Sequence, residues 1–140
     1  MSTTGNLATV IEMDQKHFPR PWKERDWLEL DWAHHFLKLH SKENKIIGFA
    51  LFAYVAGDDV AHLLKICVLP EYRGKGEAIS FWQELLPELR SRGASSVFLE
   101  VEGSNLRAQS FYKKMGFAEL RTIKGYYSDG ENALVMLMKL

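Results

Sequence analysis

Glu71-Tyr-Arg-Gly-Lys-Gly-Glu-Ala78 sets two alternate glycines between an apolar run and a helical pattern. Glycines in such a turn let the backbone approach a ligand closely, and free N–H groups at a helix start favour an anion. The chemistry on offer is a phosphate cradle. A Walker A loop requires Ser or Thr after Gly-Lys, but Gly76 follows Lys75. A dinucleotide fingerprint requires a third glycine where Ile79 stands, and Pro70-Glu-Tyr intervenes after the strand. Taken alone, the loop is equally a ligand-free strand-to-helix turn. On composition alone, Glu100 reads as a strand-end carboxylate in a salt bridge, and Tyr112 as an amphipathic core residue at helical spacing. Cys67 reads as a buried apolar thiol rather than a nucleophile, because no histidine lies at a telling position. His34, His35, His40 and His62 lack metal-ligand spacing with Cys or carboxylates, so no metal is expected.

The elements that must position these groups follow from periodicity. Leu7, Val10, Ile11 and Phe18 predict a helix over Asn6–His17. Phe18-Pro-Arg-Pro-Trp22 breaks it, since two prolines fix φ and remove donors. A second helix carries Trp27 and Leu28 and closes near Asp31-Trp32. Period-two runs predict strands at Phe36–Leu39 and Ile46–Val55, then Gly57-Asp-Asp59 as a turn and Ala61–Leu69 as a third strand. Ile79, Trp82, Leu86 and Leu89 share a helix face that stops at Gly93, with a kink expected at Pro87 because an interior proline costs about 3 kcal/mol. Val97–Val101 is a buried strand. Asn105 caps a helix with Ala108, Phe111, Tyr112 and Met115 inward and Gly116 after its end. Strands Phe117–Tyr126 and Ala133–Leu140 flank the turn Ser128–Glu131. The order ααβββαβαββ predicts an α/β sandwich on one mixed sheet, with the third strand parallel to the Val97 strand through a βαβ crossover.

The chain has 140 residues, 46% of them hydrophobic, enough for one domain spanning 1–140 with its own core. One cysteine excludes a disulfide scaffold. No apolar run reaches the roughly 18–20 residues a membrane span needs, and the first residues do not read as a secretory signal, so a cytoplasmic protein is expected. Eighteen basic residues balance eighteen acidic ones, which argues against a general nucleic-acid binder.

Arg73-x-x-Gly76-x-Ala78 after Leu64-Lys-Ile-Cys-Val-Leu-Pro70, then Leu99-Glu-Val-Glu-Gly-Ser-Asn105, then Phe111-Tyr-Lys-Lys-Met-Gly-Phe117, resembles the GNAT N-acetyltransferase family. Glu100-Val, Ser104-Asn105, Tyr112, the late Gly125-Tyr-Tyr-Ser-Asp-Gly-Glu-Asn-Ala-Leu-Val-Met136 and Phe18-Pro-x-Pro-Trp22 look like its RimI-like branch, which acetylates a ribosomal-protein alanine. The resemblance implies an α/β/α sandwich around a mostly antiparallel sheet whose parallel pair splays at the acetyl-CoA site. It places the coenzyme pyrophosphate on backbone amides among Gly74, Lys75, Gly76, Glu77, Ala78 and Ile79, with Arg73 heading the loop. It places the pantetheine arm on Ile66, Cys67 and Val68, with Asn105 also touching the coenzyme.

Acetyl transfer requires a neutral amine to attack the thioester and a proton for the departing thiolate. A reference α-amine titrates near 7.7–8.0 and lysine near 10.4, so the α-amine offers roughly 300-fold more free base at neutral pH. A carboxylate base then suffices, directly or through water. The resemblance gives that role to Glu100 and the acid to Tyr112, with a backbone N–H near Ile66–Val68 for the oxyanion. Glu102, two residues on and on the same face, supports the base or binds the peptide amine. Trp22, Tyr126 and Tyr127 line the acceptor cleft, whereas Trp27 and Trp32 read as packing. The implied partners are acetyl-CoA and the N-terminus of a small-subunit ribosomal protein, with no direct nucleic-acid or membrane contact, from a monomer or weak dimer. Two other readings stand beside it: transfer to another amine (a different protein N-terminus, a lysine or a small molecule), or a coenzyme A-binding module without turnover. The chain departs from the family pattern in its short lead before the first helix, in Glu77 within the phosphate loop, and in Gly125 and Ser128 around the paired tyrosines.

Overall fold

The computed structural model describes residues 3–54 and 58–140. Its elements are α1 (Thr3–His17), α2 (Glu24–Leu28), β1 (His35–Lys42), β2 (Lys45–Ala53), β3 (Val60–Val68), α3 (Glu77–Ser91), β4 (Ser96–Glu102), α4 (Leu106–Met115), β5 (Ala118–Ile123) and β6 (Ala133–Lys139), with a 3₁₀ turn at Pro70–Tyr72. This is the expected order. The six strands form one sheet, β1-β2-β3-β4-β6-β5. β3 and β4 run parallel, as the crossover requires, and every other neighbouring pair is antiparallel. No strand precedes α1 among the described residues. Val55 of the second expected strand and Gly57 of the turn lie outside them.

Several boundaries differ for local reasons. α2 stops at Leu28 because Asp31 serves a turn: its carboxylate accepts from the Ala33 N–H at 2.9 Å and faces the His34 ring. β1 runs on to Lys42 because Glu43 and Asn44 both adopt left-handed backbone, the two-residue hairpin turn that matches strand twist. β5 ends at Ile123, before Tyr126, and the Tyr127 and Gly130 amides close a turn on Glu131 and Tyr127 carbonyls. The helix after the glycine loop stays one helix through Pro87. It buries Phe81, Trp82, Leu85 and Leu89, each contributing roughly 1.5–3 kcal/mol, and together these outweigh the proline's cost of about 3.

The sheet is covered on both faces, and β2 alternates between them. Phe49 and Leu51 join Leu7, Val10, Ile11, Met13 and Trp27 under α1 and α2. Ala50 and Phe52 join Phe81, Trp82, Leu85 and Leu89 of α3. In β3 the register slips by one residue at Leu64, a bulge that exchanges the faces beyond it. Ala61, Leu63 and then Ile66 pack on the α3 side, while Lys65 and Cys67 turn toward α1. Without that extra residue, strict alternation would drive the Lys65 ammonium into the α3 core.

The bulge delivers Lys65 to a buried partner. Its Nζ lies 2.7 Å from Asp14 Oδ1, with the side chains 5% and 0% exposed. Asp14 Oδ2 accepts from the Trp22 backbone N–H at 2.9 Å and from Trp27 Nε1 at 2.8 Å. The ammonium also sits 4.5 Å from the Phe18 ring centre and 5.2 Å from that of Trp22, within cation–π range. Burial pushes the Lys65 pKa down, against the opposing hydrogen bond and charge of Asp14. α1, the Phe18–Trp22 segment, α2 and β3 thus meet on one carboxylate. Asp14→Ala strands a buried cation and is expected to lose about 3–5 kcal/mol in urea unfolding. Glu12→Ala, which removes an exposed partner of Lys16, is expected to leave the midpoint unchanged.

Candidate functional site

β3 and β4 hold register at Val60/Ser96, Ala61/Val97 and His62/Phe98, and then part. Beyond His62 the backbone of β3 has β2 on one side and no strand on the other. The fork opens into a cleft of 1190 Å³. β3 from His62 to Val68, the glycine loop, one side of α4, the Phe18–Trp22 segment, Tyr126 and Tyr127 form its walls. Close approach of β2 braces the open strand: a Cβ on Gly48 would stand 2.5 Å from the Cys67 carbonyl oxygen.

One end of the cleft is built for an anion. Gly74 and Gly76 have φ of +76° and +78°, a backbone that L side chains rarely adopt, and Gly76 is the residue that opens α3. The first N–H groups of that helix lack carbonyl partners within it. Arg73, Arg107 and Lys114 also line the cleft. Arg73 Nε donates to the Val68 carbonyl at 3.0 Å, folding the loop back onto β3. Lys75, between the two left-handed glycines, is exposed and stands outside the cleft wall, unlike the other residues of the loop from Arg73 to Ile79. Glu77 turns toward β1, where its carboxylate lies 2.9 Å from His40 Nε2 and 2.7 Å from Lys42 Nζ. Hydrogen bonds from Lys42 and His40 hold it below the usual carboxylate range. Asn105 lines the cleft, but its Oδ1 is committed to capping α4 through the Ala108 N–H at 3.1 Å. The unpaired β3 backbone, the open glycine loop and the nearby cations fit a phosphorylated ligand with an extended arm. Among the described residues, no three His, Cys, Asp or Glu side chains gather to hold a metal.

The other end is acidic and aromatic. Glu100 accepts from Tyr126 Oη at 2.8 Å on Oε1 and lies 2.6 Å from His62 Nε2 on Oε2. Burial pushes its pKa up, but the hydrogen bonds from His62 and Tyr126 and the His62 charge together hold it below the ordinary value. The bond to Glu100, then burial, push Tyr126 up to about 12. Tyr112 is also pushed up to about 12, first by burial and then by the Glu102 charge. It therefore stays protonated, as a weaker acid than a free phenol. Glu102 is held by Arg20 Nε at 3.4 Å, while Arg20 Nη2 reaches Asp129 at 2.9 Å and the guanidinium lies 4.2 Å from the Tyr127 ring centre. Burial, then the Glu102 charge, raise the Tyr127 phenol. Cys67 is buried, and burial pushes its thiol up, so no thiolate is poised for attack.

The fold brings Glu100, Tyr112, Glu102, Trp22, Tyr126 and Tyr127 to the same cleft as Ile66, Cys67, Val68, Arg73, Gly74, Gly76, Glu77, Ala78, Ile79 and Asn105. Trp27 is buried in the core, and Trp32 is 40% exposed at the surface. Two residues at the acidic, aromatic end have no role in the sequence reading. His62 carries no spacing signal, because its link to Glu100 depends on the register of β3 against β4. Arg20 is legible only as the residue between two prolines.

Similarity to known proteins agrees with this geometry. Residues 7–117 match the Acetyltransferase (GNAT) family. The [ribosomal protein bS18]-alanine N-acetyltransferase of Escherichia coli (strain K12) is 30% identical over 98% of this chain and 93% of its own length. The crystal structure of the ribosomal-protein-S18-alanine N-acetyltransferase from Escherichia coli superposes with a TM-score of 0.85 at 29% identity, covering 99% of this chain and 90% of that one. Arabidopsis thaliana Naa50, in complex with the bisubstrate analogue CoA-Ac-MVNAL, shares the fold at a TM-score of 0.82 and 22% identity, over 99% and 95% of the two chains.

Glu77→Ala frees the Lys42 ammonium and the His40 ring beside the glycine loop. Coenzyme A binding by calorimetry at low salt is expected to tighten about two- to fivefold, with the gain fading near about 0.5 M salt. Binding that weakens would mean that the Glu77 backbone position depends on its side chain.

Proposed function

Because the chain belongs to the GNAT acetyltransferase family, we propose that it moves the acetyl group of acetyl-CoA to the N-terminal alanine α-amine of a small-subunit ribosomal protein, by direct attack. The observation that carries this reading is the position of Glu100. It stands where the open strand of the fork meets the aromatic acceptor wall, ionised and with both oxygens oriented.

The steps follow from the groups present. Glu100 takes a proton from the ammonium, directly or through water, and the neutral amine attacks the thioester carbonyl carbon. The C–N bond forms as negative charge gathers on the carbonyl oxygen, which an unpaired N–H of β3 near Ile66–Val68 holds. The C–S bond then breaks as Tyr112 donates its phenolic proton to the leaving sulfur, the new amide nitrogen gives its second proton back to the Tyr112 phenolate through water, and Glu100 releases the first proton to solvent. Arg73 and the amides from Gly74 to Ile79 hold the pyrophosphate, so the thioester is presented at a fixed depth. Trp22, Tyr126 and Tyr127 grip the extended peptide, and Glu102, on the same strand face as Glu100, supports the base or binds the peptide amine.

Glu100→Gln is expected to lower kcat by roughly 10²–10⁴ while leaving the acetyl-CoA KM near wild type, and an unchanged rate would remove it as the base. Tyr112→Phe is expected to slow turnover with coenzyme binding preserved. The acceptor is tested with acetyl-CoA and two peptides, followed by fragment mapping in a mass spectrometer. One peptide begins with a free alanine and lacks lysine, and the other has a blocked N-terminus and internal lysines. Acetylation of the alanine amine alone is expected. Acetyl on lysine, or on neither peptide while coenzyme still binds, would redirect the assignment to another amine or to a binding module.

A further inference from the structure

We infer that His62 is a positioning residue for this reaction, fixing the Glu100 carboxylate in one orientation and setting a proton-bearing ring beside it. The inference rests on Glu100 acting as the base. A separation of 2.6 Å between His62 Nε2 and Glu100 Oε2 requires a proton between them, so the ring donates and the carboxylate accepts.

The ring is itself held. His62 forms the last rung of the parallel pair, opposite Phe98, and its imidazole stacks on the Phe98 ring at 4.2 Å and 14°. Phe98 and Glu100 are two residues apart and share a face of β4, so the stacked ring reaches diagonally to the carboxylate. Tyr126 Oη takes the other oxygen at 2.8 Å. Held from both sides, the carboxylate keeps one rotamer before the acceptor arrives, which is how a general base avoids reorganising during the reaction.

The other charged or titratable groups around Glu100 do not duplicate this role. Glu102 on β4 is an anion, and Arg20 from the α1–α2 segment is bound to Glu102 and Asp129. Tyr126 and Tyr127 from the β5–β6 segment and Tyr112 from α4 are raised phenols that carry no positive charge. His62 is the group on β3 that can put a cation against the carboxylate. The hydrogen bond and charge of His62 are among the causes that hold Glu100 below its ordinary pKa. Their removal moves Glu100 upward, so the fraction ionised at a given acidic pH falls.

The test compares His62→Leu, His62→Gln, Glu100→Gln and the double variant His62→Leu/Glu100→Gln, each checked for folding by circular dichroism. His62→Leu is expected to lower kcat on the order of tenfold, a part of what general-base catalysis contributes, with the acetyl-CoA KM within about twofold of wild type. His62→Gln, which keeps a donor, is expected to recover most of that loss. In the Glu100→Gln background, His62→Leu is expected to add no further loss, because the two side chains act as a unit. A carbon-13 titration of the Glu100 carboxyl is expected to move to higher pH in His62→Leu. The inference is overturned if His62→Leu costs the same factor in both backgrounds, or if the Glu100 titration does not move. A wild-type rate in Glu100→Gln would overturn the base assignment itself, and this inference with it. If His62→Leu does not fold, His62→Asn, too short to reach Glu100, takes its place in every comparison.

Discussion

Parallel strands share hydrogen bonds only while their axes stay together, and β3 and β4 stay together for three residue pairs. After His62 the two backbones separate, and one side of β3 is left with donors and acceptors that no strand satisfies. Everything around the cleft follows from that separation. Gly48 lets β2 lie close along the far side of β3, and the Asp14–Lys65 pair ties the same strand to α1 and to the Phe18–Trp22 segment. The strand is therefore open on one side because it is secured on the others. The glycine loop continues from its end, and Glu100 faces it from the diverging strand.

The fold was legible where period and punctuation agree. Element order, the parallel pair and the capping roles of Asn105 and Gly116 follow from residue spacing and appear in the structure. Boundaries strayed where a side chain competed for backbone, as at Asp31, or where two left-handed residues closed a hairpin without glycine, as at Glu43-Asn44. α3 continues through Pro87 as one helix because the four large side chains it buries outweigh the proline's cost.

The site was legible in part for a different reason. The glycine loop, Glu100 and Tyr112 sit in contiguous motifs, and the resemblance carried them. The partners of those residues come from distant segments: His62 lies 38 positions from Glu100, and His40 lies 37 from Glu77. Pairings of that kind depend on strand register and on a one-residue bulge, neither of which leaves a local pattern. The neutral net charge likewise hid two local arrangements of charge, Glu77 with His40 and Lys42, and Arg20 with Glu102 and Asp129.

Glu77 has a consequence for how this sequence can drift. On the proposed reading, an acidic residue at the start of α3 lies beside an anion-binding loop, and His40 and Lys42 of β1 hold it aside. Loss of Lys42 or His40 first leaves one oxygen of the Glu77 carboxylate unpaired beside the loop, whereas loss of Glu77 first leaves surplus positive charge on Lys42. The second order of events spares the loop and the first does not. Positions 40, 42 and 77 therefore form a linked set in which the path between two workable states runs through one corner and is closed at the other.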